Sequence, residues 1–226
     1  MINMMQGDCM ELMEKTPDNY YELAIVDPPY GIKEDGRNNH TRGKLTTSKD
    51  YKSKTKYDTK SPDKSIFDEI IRVSKNQILW GANHYINKIP YSSSCWLIWD
   101  KDNGKTDFAD CDIAWTSFKT AIRKFKYKWQ GMLQENMKNK ELLQHPNQKP
   151  VALYKWLLKN YAKPGDKILD THGGSGSICI ACHDMGFDLD WIELDADYYK
   201  SACERYQNHI KQNELFNFKG GQIEKE

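Results

Sequence analysis

At 226 residues, with 38% hydrophobic and 29% charged content, the chain has the size and balance of one soluble α/β domain with room for a small insertion. Lys and Arg (33) nearly balance Asp and Glu (32), which excludes a uniformly basic protein; any nucleic-acid surface must come from local segregation of charge. No run approaches the ~18 apolar residues of a membrane span, and Met1 to Met10 lacks a signal peptide's basic start and long apolar stretch, so the chain reads as cytoplasmic.

The first clear element is the apolar run Leu23-Ala24-Ile25-Val26, a buried strand that ends in Asp27-Pro28-Pro29-Tyr30. Two prolines fix φ and remove backbone donors, so the chain leaves the strand in an extended turn whose carbonyls stay free to accept hydrogen bonds. An acceptor carboxylate, a free carbonyl and an aromatic face at one strand end suit a flat ring that bears an exocyclic amine. The plainer alternative is a strand followed by a Pro-rich turn. Residues 33–64 are polar, with Arg37, Arg42 and several lysines and almost no aliphatic residues, and read as a mobile basic loop that is functional or disordered.

Ile66 to Ser74 has helical spacing, and Gln77 to Gly81 and Trp96 to Trp99 are two further strands. Phe118 to Trp129 interleaves Arg123, Lys124, Lys126 and Lys128 with Phe125, Tyr127 and Trp129, a pattern that suits phosphate contact and base stacking. A solvated edge strand whose lysines discourage aggregation gives the same pattern. The segment that holds this stretch, residues 118–143, is a candidate nucleic-acid-binding insertion. Val151 to Tyr161 forms one amphipathic helix, with Pro150 near its first turn and Pro164-Gly165 beyond its end.

From Asp166 the order is strand (Lys167 to Asp170), glycine turn, helix (Ser177 to Met185, closed by Gly186), strand (Phe187 to Leu194) and helix (Asp197 to Gln212). This is half of a doubly wound, mostly parallel sheet. Asp170 followed by Gly174-Ser175-Gly176 ahead of a helix admits close ligand approach, and Glu193 at the next strand end stands where an acidic residue meets ribose hydroxyls. Neither the G-x-G-x-x-G spacing nor a Walker lysine is present, so an adenosine ligand without a pyrophosphate fits better, and S-adenosylmethionine is such a ligand. Six scattered cysteines suit reduced thiols; Cys179 and Cys182 have C-x-x-C spacing, with a buried helix face favoured over zinc or redox chemistry.

Taken in order, these motifs resemble the N6-adenine/N4-cytosine DNA methyltransferase family, in the permuted order where the catalytic motif precedes the cofactor motif. Gly7-Asp8-Cys9 followed by Asp27-Pro28-Pro29-Tyr30 resembles the family's opening. Trp80-Gly81-Ala82-Asn83, Trp96 to Lys101 and Ala114 to Phe118 are similar to the middle of phage-type members, and His145-Pro146-Asn147-Gln148-Lys149-Pro150 resembles the segment before the cofactor-covering helix.

The resemblance implies one Rossmann-like methyltransferase domain, S-adenosylmethionine as cofactor and double-stranded DNA as partner, with a second copy of the chain and a cognate restriction enzyme as further candidates. It implies bacterial or phage origin and no metal. Asp8 and Cys9 would lie near the cofactor's adenine and Asn147, Gln148 and Lys149 near its methionine part, with Asp27, Asp170, Gly174, Ser175, Gly176 and Glu193 completing the pocket. Two departures stand out. Thr171-His172 replaces the family's usual Pro and aromatic, and Trp191 stands where a smaller residue is common.

The implied reaction is direct transfer: Asp27 and the Pro28 carbonyl accept the two N–H protons of a flipped base's exocyclic amine while Tyr30 holds its ring. No Pro-Cys nucleophile motif is present. N6 of adenine is favoured over N4 of cytosine because the cytosine enzymes more often carry Ser in place of Asp27. RNA guanine-N2 and protein-glutamine methyltransferases use similar tetrapeptides but place the cofactor glycines first. A catalytically weak nucleic-acid-binding protein on the same fold is the competitor from another class.

Overall fold

The computed structural model describes residues 1–32, 58–104, 109–130 and 133–223, with side chains to residue 212. Its centre is an eight-stranded sheet in the order β1-β10-β9-β2-β3-β5-β4-β6. The strands are β1 (Ile2–Gln6), β2 (Tyr21–Val26), β3 (Ser74–Trp80), β4 (Trp96–Asp100), β5 (Cys111–Thr116), β6 (Arg123–Lys126), β9 (Lys167–Asp170) and β10 (Asp188–Glu193), and β7 (Trp129–Gln130) pairs with β8 (Leu133–Gln134) in a small separate ribbon. Pairing is parallel from β1 through β3, antiparallel at β3–β5 and β4–β5, and parallel again where β6 lines the edge.

Alternation along the central strands divides the core in two. Leu23 and Ile25 of β2, Ile78 and Trp80 of β3, Ile168 of β9 and Leu189 and Trp191 of β10 pack on one face, against α3 (Val151–Tyr161), α4 (Ser177–Met185) and the start of α5 (Ala196–Ile223). Their neighbours Ala24, Val26, Leu79, Leu169 and Ile192 pack on the other, against α1 (Cys9–Met13) and α2 (Lys64–Val73). A strand buried on both faces must be apolar at every position, which is why these segments read as continuous apolar runs. Arg72 ties the second layer together: its guanidinium donates to the carbonyls of Met13 (2.6 Å) and Thr16 (2.9 Å) at the end of α1.

The topology positions the site. The connection from β9 through α4 leads to β10 on one side, and that from β2 through α2 leads to β3 on the other, so the strand order reverses between β9 and β2. In an open α/β sheet the crevice beyond the carboxyl ends at such a reversal is the natural ligand site. Because β2 and β9 are direct parallel neighbours (Leu23 opposite Ile168, Ala24 opposite Leu169), the turns that follow them emerge side by side.

The expectation of an α/β fold with a mostly parallel sheet describes the molecule well. β1 at the parallel edge, α1 after it, and β5 in the antiparallel part of the sheet carry too little apolar periodicity to be picked out from sequence, and the 118–143 segment holds β6 and the β7–β8 ribbon. Cys179 and Cys182 are buried in the apolar face of α4, with thiols pushed well up by burial. Among the described residues no helix is long and apolar enough to cross a membrane.

Candidate active site

Asp27 leaves β2 with both carboxylate oxygens engaged. Oδ1 accepts from the Tyr30 hydroxyl (2.7 Å), and Oδ2 pairs with Nζ of Lys149. Burial, followed by the charges of Asp27 and Asp112, pushes the Tyr30 hydroxyl well above its ordinary range, so it stays a phenol and donates. The ring is held by what surrounds it. It stacks on His84 with centroids 5.0 Å apart and planes 14° from parallel, and a Cβ on Gly81 would fall 2.0 Å from its Cε1. Gly81 also has φ +72°, so only glycine fits both the turn after β3 and the space Tyr30 takes. Beyond Tyr30 the Gly31 N–H donates to the buried carboxylate of Asp58 (2.7 Å), which seats the returning chain against the motif turn.

The second turn follows β9. A Cβ on Gly173 would meet the Trp191 indole at 1.9 Å, so this glycine is what lets the large Trp191 occupy the neighbouring strand. Gly174 N–H donates to Oε2 of Glu193 (2.7 Å) and Asp195 N–H to its Oε1 (2.8 Å), which fixes the carboxylate at the end of β10. On the far side Asp8 caps α1, its Oδ1 accepting from Met10 N–H (2.9 Å), and Gly7 N–H donates to the Glu193 carbonyl (3.0 Å).

A cavity of about 510 Å³ joins the two turns. Its wall contains Asp27 through Tyr30 on one side, Gly173 through Ser175 and Glu193 on another, Asp8 and Cys9 on a third, and Asn147 through Lys149 across the top. That volume suits a nucleoside-sized ligand. The electrostatics are set by burial. His145 is depressed to about 3 by burial and then by Lys149, and His172 to about 4 by burial, so both imidazoles are neutral. Asp170, fully enclosed, is raised to about 8 by burial first, with Asp27 and Glu193 adding to it, so at pH 7 it is mostly a protonated acid. Cys9 is likewise held as a thiol, pushed up to about 12 by burial and then Asp8.

All the expected pocket residues line the cavity except Asp170 and Gly176. Asp170 lies behind the wall, accepting from His172 N–H (3.0 Å) at Oδ1. Gly176 is not in the wall either: with φ +70° it turns the chain into α4, and its missing Cβ would stand 3.1 Å from Ala202 of α5, so the glycine serves helix packing. Lys149 reaches the motif turn itself, its ammonium on Asp27 and 3.2 Å from the Tyr30 hydroxyl. Gln148 lines the cavity while bonding its own segment, accepting from Gln144 N–H (2.9 Å).

Sequence reasoning misses His145, Tyr154, Asp195 and Tyr198 as wall residues. Asp195 follows Glu193 by two positions and His145 opens a quoted motif, so both carried a signal. Aromatic residues at helical spacing read as core, and nothing local distinguishes Tyr154 or Tyr198 from that.

The surface residues fall elsewhere. Arg37 and Arg42 lie outside the described residues, as does most of the 33–64 loop. Arg123, Lys124 and Lys126 are on the edge strand β6, with Lys128 just after it. Lys124 pairs with Asp100 (3.2 Å), and Lys126 (2.9 Å) and Lys128 (3.6 Å) with Asp102. Phe125 and Tyr127 stack on each other (5.7 Å) and, half-buried, pack against the core beside Trp156, so part of each ring is already engaged.

Residues 99–204 match the N6/N4 methyltransferase family model, described as DNA methylase. YubD of Escherichia coli strain K12, which carries the name of a methylase, is 23% identical over 222 residues, taking in 91% of this chain and 90% of YubD. The type II methyltransferase M.HinfI of Haemophilus influenzae is 25% identical over 251 residues, with 92% of this chain and 69% of M.HinfI covered. Among solved structures, the M1.HpyAVI–SAM complex superposes with TM-score 0.58 at 17% identity, covering 91% of this chain and 99% of that one. The cytosine-N4-specific PvuII DNA methyltransferase does so with TM-score 0.58 at 15% identity, covering 96% and 91%. The fold is thus the doubly wound, Rossmann-like one of these methyltransferases.

Proposed function

We propose that the chain, whose residues 99–204 match the N6/N4 DNA methyltransferase family model, is an enzyme of that family and methylates the N6 amine of adenine in double-stranded DNA. The methyl donor is S-adenosylmethionine, which when bound supplies an electrophilic methyl group on a sulfonium. The residues present fit that ligand. At Gly174 an added Cβ would meet only the His145 ring, at 3.9 Å, so the glycine leaves a cradle between turn and imidazole. Glu193, Asp8 and Asp27 give the wall a carboxylate lining, which suits hydroxyl donors and a cationic ligand, and the neutral His145 adds no opposing charge.

In this reading Glu193 receives the ribose hydroxyls, with Asp8 and Cys9 beside the adenine and Asn147 toward the methionine part. An aromatic exocyclic amine is a poor nucleophile because its lone pair is conjugated into the ring. Asp27 and the Pro28 carbonyl accept hydrogen bonds from its two N–H groups, which draws the lone pair out of conjugation and aims it at the methyl group; the one proton the amine loses on methylation leaves by way of Asp27, and Pro29 keeps the turn rigid. Tyr30 gives the base an aromatic surface. Most of the acceleration comes from orientation and fixed acceptors. Reaching a paired base requires flipping it out, at a cost of a few kcal/mol.

The observation that carries the proposal is the meeting of the Asp27 turn and the Glu193-held glycine turn in one cavity. N4 of cytosine is the second reading, favoured by the likeness to the PvuII enzyme; the residue type at Asp27 favours adenine. Labelled methyl transfer to duplex DNA, followed by nucleoside separation, tests it. N6-methyladenine is expected, N4-methylcytosine would overturn the base, and cofactor binding without incorporation would make the protein a binding module.

A further inference from the structure

Lys149 is 3% exposed along its side chain, yet its ammonium has carboxylates on two sides. Nζ pairs with Asp27 Oδ2 and lies 3.9 Å from Oδ2 of Asp112, and it stands over the rings of Tyr30 (5.7 Å) and Trp80 (5.6 Å). Asp112 is itself anchored, its Oδ1 2.7 Å from Nζ of Lys101. The four charged groups alternate in sign from the β4–β5 hairpin to the motif turn: Lys101, Asp112, Lys149, Asp27. A buried lysine held in this way has no rotamer freedom left to wander toward a ligand.

We propose that Lys149 is the positioning residue for Asp27, and that Asp112, fixed by Lys101, holds Lys149 in place. The inference rests on the methyltransferase reading for what Asp27 does, and on geometry alone for what holds it. A carboxylate offers about four lone-pair sites. Tyr30 takes one on Oδ1 and Lys149 takes one on Oδ2, which locks the rotation of the group and leaves the remaining sites to receive an amine N–H. Lys149 balances the charge of Asp27 in an enclosed site, where an unpaired anion would be costly. Loss of the lysine leaves the turn in place and frees its carboxylate. A misplacement on the order of 1 Å at a reacting group costs about 10²-fold in rate.

Two measurements test this. Urea unfolding of wild type, Asp27→Asn, Lys149→Met and the double variant, all without ligand, reads the pair independently of any activity. The double variant should be less destabilised than the sum of the singles; strict additivity would show that Lys149 does not hold Asp27 and would overturn the proposal. Methyl-transfer kinetics then read the role. Lys149→Met should lower kcat about 10²-fold, with KM for DNA and calorimetric affinity for S-adenosylmethionine within about twofold, and Lys149→Arg should recover most of the loss.

Asp112→Asn, which leaves the motif turn untouched, should lower kcat in the same way but less, and serves if Lys149→Met does not fold. Loss of cofactor affinity in Lys149→Met with kcat retained would make the lysine a cofactor contact and overturn the proposal. Full turnover in Lys149→Met would overturn it as well. If Asp27→Ala kept turnover, the function reading would fall while a coupled unfolding cycle would still stand, so the two failures are distinguishable.

Discussion

At the carboxyl ends of β2, β9 and β10 the charged groups are enclosed: His145 and His172 are neutral, Asp170 holds a proton, and Asp27 pairs with a buried lysine. On the β4–β6 edge Lys124, Lys126 and Lys128 meet Asp100 and Asp102 in the open. The first arrangement spends folding energy to hold chemistry in fixed geometry. The second is made of exposed pairs of the kind that add little to stability, which leaves the lysines available to meet either solvent or a phosphate. They are nonetheless joined, since Lys101 and Asp112 of the edge hairpin reach back to Lys149.

The sharpest way to break this contrast is Asp27→Ala. If the enclosed end is where rate is made, turnover should fall by ~10² to 10⁴ while cofactor and DNA binding persist. Near-normal methyl transfer by the folded variant would reduce the tetrapeptide to a turn.

Gly81→Ala acts one step further out. The added Cβ would fall 2.0 Å from the Tyr30 ring at a position with φ +72°, so the ring must move. Turnover should drop about 10²-fold, with a smaller loss of cofactor affinity, because Gly81 lies outside the cavity wall and reaches it only through Tyr30. Unchanged kcat would show that Tyr30 need not sit where the structure puts it.

Much of the enclosed end was legible in the sequence because its strands are buried on both faces and its turns are built from residue types with few alternatives. Glycine where Trp191 or Tyr30 fills the space is demanded by sterics, and proline after Asp27 fixes the turn. Asp170 and Gly176 were placed in the pocket by spacing, yet spacing cannot tell a residue that lines a cavity from one just behind it. Lys149 reaches the Tyr30 hydroxyl across 119 positions of chain, and Asp27 beside it, and no local pattern encodes either contact. β1 and β5 escaped notice because strands such as Ile2 to Gln6 alternate weakly and are recognised only by their partners.

A smaller effect tests the protonation states. Asp170 is raised to about 8 in the folded chain, so folding is favoured by its proton. That contribution is fully present at low pH and is lost as pH rises through about 8. His145 and His172, depressed to about 3 and about 4, work in the opposite direction, adding stability as pH rises and nearing completion about one unit above the ordinary histidine value of about 6.5. Between pH 6.5 and 8 the two imidazoles still add roughly a few tenths of a kcal/mol each while the Asp170 contribution falls by more, so stability should fall by on the order of 1 kcal/mol. Asp170→Asn should flatten that decline, measured by urea unfolding at the two pH values. An equal decline in the variant would show that Asp170 is not the group responsible.

The smallest effect separates the two readings of the edge. Each lysine that contacts a phosphate contributes roughly −0.9 to the slope of log affinity against log salt on duplex DNA. In the free protein Asp102 competes for two of those lysines, Lys126 (2.9 Å) and Lys128 (3.6 Å), and its own carboxyl is held below the usual range, chiefly by the hydrogen bond from Lys126. Asp102→Asn removes the competitor without touching the lysines or the cavity. If the strand meets the DNA backbone, non-sequence-specific affinity should rise a few-fold and the salt slope steepen by up to about one unit per freed lysine. Replacing Lys124, Lys126 and Lys128 by Ala should then make the slope shallower, by fewer than three units because the pairs already neutralise part of their charge. Binding that is indifferent to both changes would leave the lysines as guards of an exposed strand, and the DNA surface would have to be found elsewhere on the chain.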